Sequence, residues 1–173
     1  MTELSNYEMR LPELADALES HAEGDGGKEV WLIVGERDLL DKAVKGQIAD
    51  AHGYPVVNLN KSVSEQVTEQ EDYEQLVMAE RTTGEPKHIR QRISDATESI
   101  LQEQFESAPL VMLERFEVAL RYDFDLIPAV QSIAQNEKKA VVLVDATVEG
   151  QHIYVNGKEL ETTPFTTVIQ VKK

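Results

Sequence analysis

The sequence predicts an α/β fold: a mainly parallel central sheet covered by helices on both faces, a three-layer sandwich ending in a C-terminal β-hairpin. Three observations predict it. Apolar runs of strand length stand at residues 30–34, 110–113 and 140–144; they are continuous rather than alternating, as in strands buried on both faces. Segments with apolar residues at helical spacing separate these runs, and strand–helix–strand units of this kind build parallel sheets. Near the end, Asn156-Gly157 lies between two short strand-like segments, which is the strongest short-range signal for a hairpin.

The elements follow in order. Leu11, Leu14, Ala15 and Leu18 lie on one face of a helix, with Pro12 in its first turn and Glu13 favouring its N-terminal dipole. The glycine-rich residues 24–27 end that helix. Val30, Trp31, Leu32, Ile33 and Val34 form the first buried strand, and after Gly35 the spacing of Leu40, Ala43, Val44, Ile48 and Ala51 predicts a helix ending near Gly53. Residues 56–59 give the next strand. The polar stretch 61–107 reads as two helices broken at residues 83–86, the second carrying Ile89, Ile93, Ala96, Ile100 and Phe105 on one face. Leu110, Val111, Met112 and Leu113 form a strand, then Leu126, Ile127, Val130, Ile133 and Ala134 trace a helical stripe that leads into the strand at 140–144. Residues 166–171 are expected as a last strand, at an edge of the sheet. One domain is expected over the 173 residues. Its parts are an N-terminal helix (1–24), a first βαβ unit (29–60), a helical segment (61–108) and a second β/α half with the hairpin (109–173).

Composition narrows the chemistry. There is no cysteine, which removes disulfides, thiolate nucleophiles and cysteine-based zinc sites. No run approaches the ~18 apolar residues of a membrane span, and the first residues show no export pattern, so a cytoplasmic protein is expected. The formal charge of −15, from 32 acidic against 17 basic residues, repels a phosphate backbone and disfavours direct nucleic-acid binding. His21, His52, His88 and His152 are scattered without ligand spacing, so no metal site is expected. Ser62 and Ser64 read as capping residues.

The position to inspect is Gly35. A strand that ends in glycine and opens a helix is where phosphate is held, because the helix N-terminus presents unpaired amides and a positive dipole. A working phosphate loop, G-x-x-x-x-G-K-[ST], needs a second glycine for curl, a lysine for the terminal phosphates and a hydroxyl for magnesium. Here Leu40, Asp41 and Lys42 occupy those positions, and Glu36 and Asp38 add negative charge. Gly27-Lys28 precedes its strand and Gly157-Lys158 belongs to the hairpin, so neither replaces the loop. The acid expected at the far side of such a site is present: Glu114 ends an apolar strand and Glu117 follows three residues on, an arrangement that holds magnesium or orients water. Asn136 and Asp145 flank the next strand.

Residues 30–60, with Val-Trp-Leu-Ile-Val-Gly leading through a helix to Pro55-Val56-Val57-Asn58-Leu59-Asn60, resemble the opening of the BrxF-like small P-loop proteins of type 3 BREX bacteriophage-defence systems. The segment Pro109-Leu110-Val111-Met112-Leu113-Glu114-Arg115-Phe116-Glu117 is similar to that family's acid-bearing strand, and residues 127–144 and 150–154 to its later helix, turn, strand and closing Gly-x-x-x-Tyr. The family's glycine-rich loop is intact; this one is degenerate. The resemblance implies a P-loop-NTPase-like fold and vestigial nucleotide-site positions at Gly35, Lys42, Glu114, Glu117 and Asn136. It also implies a non-catalytic accessory subunit, with no cofactor, that associates with larger components of a BREX-like or related DNA-modification complex; self-association stays open. Two other readings stand beside it. One is an ATPase or GTPase using ATP and magnesium through Gly35, Lys42 and Glu114; the other is an acidic inhibitor that mimics DNA.

Overall fold

The computed structural model describes residues 5–23, 30–84, 87–134, 138–150, 152–163 and 166–172. The chain runs β1 (Ser5–Arg10), α1 (Leu11–Glu23), β2 (Val30–Val34), α2 (Arg37–Leu39), a π-helix (Leu40–Ala49), α3 (Asp50–His52) and β3 (Val56–Asn58). Three helices follow, α4 (Leu59–Thr68), α5 (Tyr73–Thr83) and α6 (Lys87–Ser107), then β4 (Leu110–Glu114), α7 (Glu117–Arg121), α8 (Leu126–Ala134) and β5 (Lys139–Val144). The last elements are β6 (Thr147–Glu149), β7 (His152–Val155), β8 (Lys158–Glu159) and β9 (Thr166–Lys172).

Six strands form one sheet in the order β1-β9-β2-β5-β4-β3, and every neighbouring pair is parallel. The strands β6, β7 and β8 make a separate antiparallel sheet. Alternate residues of the central strands supply two cores. Val30, Leu32, Val34, Val111 and Leu113 face α4, α6, α7, α8 and the small sheet, whereas Ile33, Leu110, Met112, Val141 and Leu143 face α1 and the π-helix. Burial on both faces explains why these strands read as unbroken apolar runs. Connections that run from β1 toward β3 carry helices on one face, and those that run back carry them on the other. A single crossover hand along the whole chain produces this division.

Four expectations change. The N-terminal helix is preceded by β1, which pairs with β9 from Ser5↔Thr167 to Arg10↔Lys172; its mixed polar sequence, with Tyr7 exposed, suits an edge strand and carries little apolar signal of its own. Because β1 takes the edge, β9 lies inside the sheet, between β1 and β2. The segment 61–107 is broken twice: at Gly84, whose φ of 75° is left-handed, as expected, and also between α4 and α5. There Arg92 clasps Asp72 with hydrogen bonds of 2.7 and 2.5 Å. That pairing holds the Asp72 carboxyl below the usual carboxylate range, so the clasp survives acidification until pH passes below the ordinary value of about 3.9. The fourth change is in the helix after β2, where Ala51 is exposed and Ala49 is buried instead. The hairpin is as read, with Asn156 and Gly157 both at positive φ. The residues 24–27, and Glu85 and Pro86, lie outside the described part.

The buried side of α5 is unusual. Its one buried residue is Glu80, whose Oε1 accepts from the backbone N–H of His88 and, at 3.0 Å, of Ile89. One helix thus supplies the anion that satisfies the first amides of the next. Glu80→Ala is expected to lower stability by about 1–2 kcal/mol in urea denaturation, with α6 fraying first by amide hydrogen exchange.

Candidate functional site

In open parallel sheets ligands bind beyond the carboxyl ends of the strands, where neighbouring strands send their connections to opposite faces. That point lies between β2 and β5. The chain leaving β2 enters the π-helix core and the chain leaving β5 crosses to the other face. Gly35 and Asp145 flank the crevice, and the Gly35 N–H donates to Val144 O at 3.1 Å.

The turn opening this crevice is two residues long, Gly35 and Glu36. Glu36 is extended (φ −66°, ψ 147°) and its carbonyl already accepts from Leu40 N at 3.0 Å, so the helix begins at once. A Cβ added at Gly35 would make ordinary contacts with Leu40 Cδ2 at 3.6 Å and Val171 Cβ at 3.7 Å. Glycine here is not called on for a left-handed backbone, and no stretch of loop is left to wrap around a phosphate.

The cations of the site come from residues the motif did not mark. Lys42 is exposed and forms no ion pair with the crevice acids among the described residues. Its place is taken by Lys45, whose Nζ lies 2.8 Å from Glu114 Oε1. Arg115 Nη2 is 3.2 Å from Asp41 Oδ2, and Arg37 reaches Glu117 Oε1 at 3.8 Å and Asp145 Oδ2 at 3.7 Å. Arg37, Asp41 and Lys45 stand four residues apart along one helix and alternate in sign. Facing them are Glu117, Arg115 and Glu114 with the opposite signs, so the helix and the β4–α7 turn are joined by a three-rung charge ladder.

The turn after β4 is itself held tightly. Asn60, in the first turn of α4, donates from Nδ2 to Glu117 Oε2 at 2.6 Å, accepts at Oδ1 from Val118 N at 2.9 Å, and donates its N–H to Arg115 O at 2.6 Å. Asn58 caps the same helix by accepting from Lys61 N at 3.0 Å. Arg115 has φ 51°, a left-handed conformation that costs a non-glycine residue about 1 kcal/mol or more. That strain is offset by the bonds to Asn60 and Asp41 and aims the guanidinium into the ladder.

Of the expected site residues, Gly35, Glu114 and Glu117 are brought to this edge of the sheet. Lys42 is not, and Asn136 lies outside the described residues, as do Gly27 and Lys28. Glu114 is 4% exposed, and its Oε2 has no hydrogen-bond partner among the described residues. A pocket of about 570 Å³ opens beside it between Lys45, Asn58, Asn60, Lys61 and Arg115. Among the described residues no group of three or more His, Asp or Glu side chains is arranged to hold a metal ion, and no helix is long and apolar enough to cross a membrane. The sequence signal for the missed residues was the four-residue spacing of Arg37, Asp41 and Lys45, which becomes legible only once the facing turn is known. Comparison with known protein families, with curated proteins and with solved structures finds no match.

Two outcomes check the ladder. Lys45→Met leaves the Glu114 carboxylate buried without its cation and is expected to cost about 3 kcal/mol, most of it recovered in Lys45→Met/Glu114→Met; urea denaturation of the four members of the cycle measures it. Asn60→Ala removes two side-chain hydrogen bonds and is expected to cost about 1–3 kcal/mol, read in the same assay.

Proposed function

We propose that this chain is a non-catalytic, degenerate P-loop-like module that acts by protein–protein association, as an accessory subunit of a bacteriophage-defence system of BREX-like or related DNA-modification type. The observation that carries the non-catalytic part is the neutralisation of the crevice by its own side chains. Lys45, Arg115 and Arg37 each pair with a carboxylate of the same chain. A triphosphate would have to displace Glu114, Asp41 and Glu117 from them, against a protein of formal charge −15. A two-residue turn offers no compensating cradle of amides.

The strand order supports the P-loop-like part: the glycine-ended strand β2 is central, and the acid-ended strand β4 is one strand removed and ends at the same edge. The defence setting rests on the resemblance of residues 30–60 and 109–117 described above. Association is favoured by α5, which leaves Met78 69% exposed and Leu76 and Val77 half-buried; no direct contact with nucleic acid is needed. A nucleotide-binding reading has one observation in its favour, the pocket beside Lys45 and Glu114.

Thermal unfolding with ATP and magnesium separates the two. A ligand at 100 times its dissociation constant adds about 2.7 kcal/mol to the stability of the folded state, and no change is expected here. Affinity capture of the tagged chain from its native host is expected to recover a larger defence or DNA-modification protein. Stabilisation by ATP, or capture of the chain alone, would overturn the reading.

A further inference from the structure

The helix between β2 and β3 is wound differently from the helix its sequence describes. Counted from Leu40 at the α-helical advance of about 100° per residue, Ala43, Val44, Ile48 and Ala51 share a face and Ala49 points away from it. In the structure Ala49 is 1% exposed and packs in the core with Leu40, Val44 and Ile48, while Ala51 faces solvent. The π-winding of Leu40–Ala49 accounts for the exchange. Its bonds span five residues instead of four, so each residue advances by a smaller angle, and the shortfall accumulates until Ala49 has taken the place of Ala51. π-winding is rare, occurs mostly as single-turn bulges within α-helices, and is frequent at functional sites.

On the core side the two windings differ little. Each buries Leu40, Ala43, Val44, Ile48 and one alanine. The half-buried flank that faces the β4–α7 turn decides between them, because it carries the ladder. Asp41 pairs with Arg115 at 3.2 Å and Lys45 with Glu114 at 2.8 Å. Rewinding to α changes the rotation progressively along the segment and swings Lys45 away from Glu114. A carboxylate that is 4% exposed would lose the one cation paired with it among the described residues, and a buried charge without its partner is strongly unfavourable. The change in residues per turn can be taken up at Gly53, which is left-handed at φ 69° with nothing within 4 Å of the position a Cβ would occupy.

We propose that residues 40–49 are a two-state helix, π-wound while Lys45 neutralises Glu114 and α-wound once that pair is released, so that an event in the crevice is reported on the outer face of the protein by the exchange of Ala49 and Ala51. The releasing chemistry is a carboxylate presented by a bound protein partner, which competes for Lys45 and Arg115. The device rests on the association reading, while the winding itself is tested on the chain alone.

The absence of native cysteine makes the test direct. Ala49→Cys and Ala51→Cys are made singly, each in the otherwise native chain and with Glu114→Gln, and labelling by a soluble maleimide is timed. In the native background Ala51→Cys is expected to react at least about tenfold faster than Ala49→Cys. With Glu114→Gln the order reverses. The idea is overturned if Ala49→Cys already labels faster in the native background, or if the ratio is unchanged by Glu114→Gln in protein whose circular dichroism shows it folded. If Glu114→Gln does not fold, Lys45→Met/Glu114→Met takes its place, which removes the pair without leaving a buried charge. A rate ratio that falls in that background supports the two-state helix, and one that does not move overturns it.

Discussion

Glu114 closes the buried strand β4 with a carboxylate that solvent barely reaches. An ionised group in that position needs a cation within hydrogen-bonding distance, because the desolvation it suffers is worth several kcal/mol and is offset only by close pairing. Lys45 supplies the cation, and the helix that carries Lys45 must then present it at the end of β4 while keeping Leu40, Val44 and Ile48 in the core. The winding of that helix, the two-residue turn ahead of it and the left-handed Arg115 behind the carboxylate all meet this one requirement.

The same constraint gives the site a charge arrangement unlike that of an open nucleotide site. In a nucleotide site the cations and amides at the carboxyl ends of the strands are held open for the ligand. Here the chain's own acids occupy them, in a ladder of alternating sign that joins the first helix after β2 to the turn after β4. The crevice predicted by strand topology is therefore present, but its electrostatics are spent on binding two parts of the fold to each other. Among the described residues the ladder keeps unpaired polar atoms at Arg37 Nη1, Asp41 Oδ1 and Glu114 Oε2, and Glu114 lines the pocket beside α4.

Sequence is informative where burial or backbone geometry restricts which residues a position accepts. The runs at 30–34, 110–113 and 140–144 were legible as strands because they are buried on both faces, so each residue carries the signal. The hairpin at Asn156-Gly157 was legible because its positive φ values restrict which residues fit. The strand β1 was not: an edge strand has one partner and little burial, and Ser5–Arg10 becomes a strand through its hydrogen bonds with β9. The break between α4 and α5 was likewise hidden, since it depends on Asp72 meeting Arg92 twenty residues away. The interior position of β9 follows from β1 and could not be read without it.

By itself the sequence determined the class of fold, the positions of most buried elements, the departure of Leu40, Asp41 and Lys42 from a phosphate-loop pattern after Gly35, and the acid at Glu114. Each of these rests on local information, namely side-chain polarity, spacing and turn chemistry. Tertiary structure alone decided which cation serves Glu114, because residues 45 and 114 meet only when the sheet order places β4 beyond β5. It decided the π-winding for the same reason. A helix face is chosen by what it packs against, and when one side needs a charge in a fixed place the periodicity written in the sequence gives way.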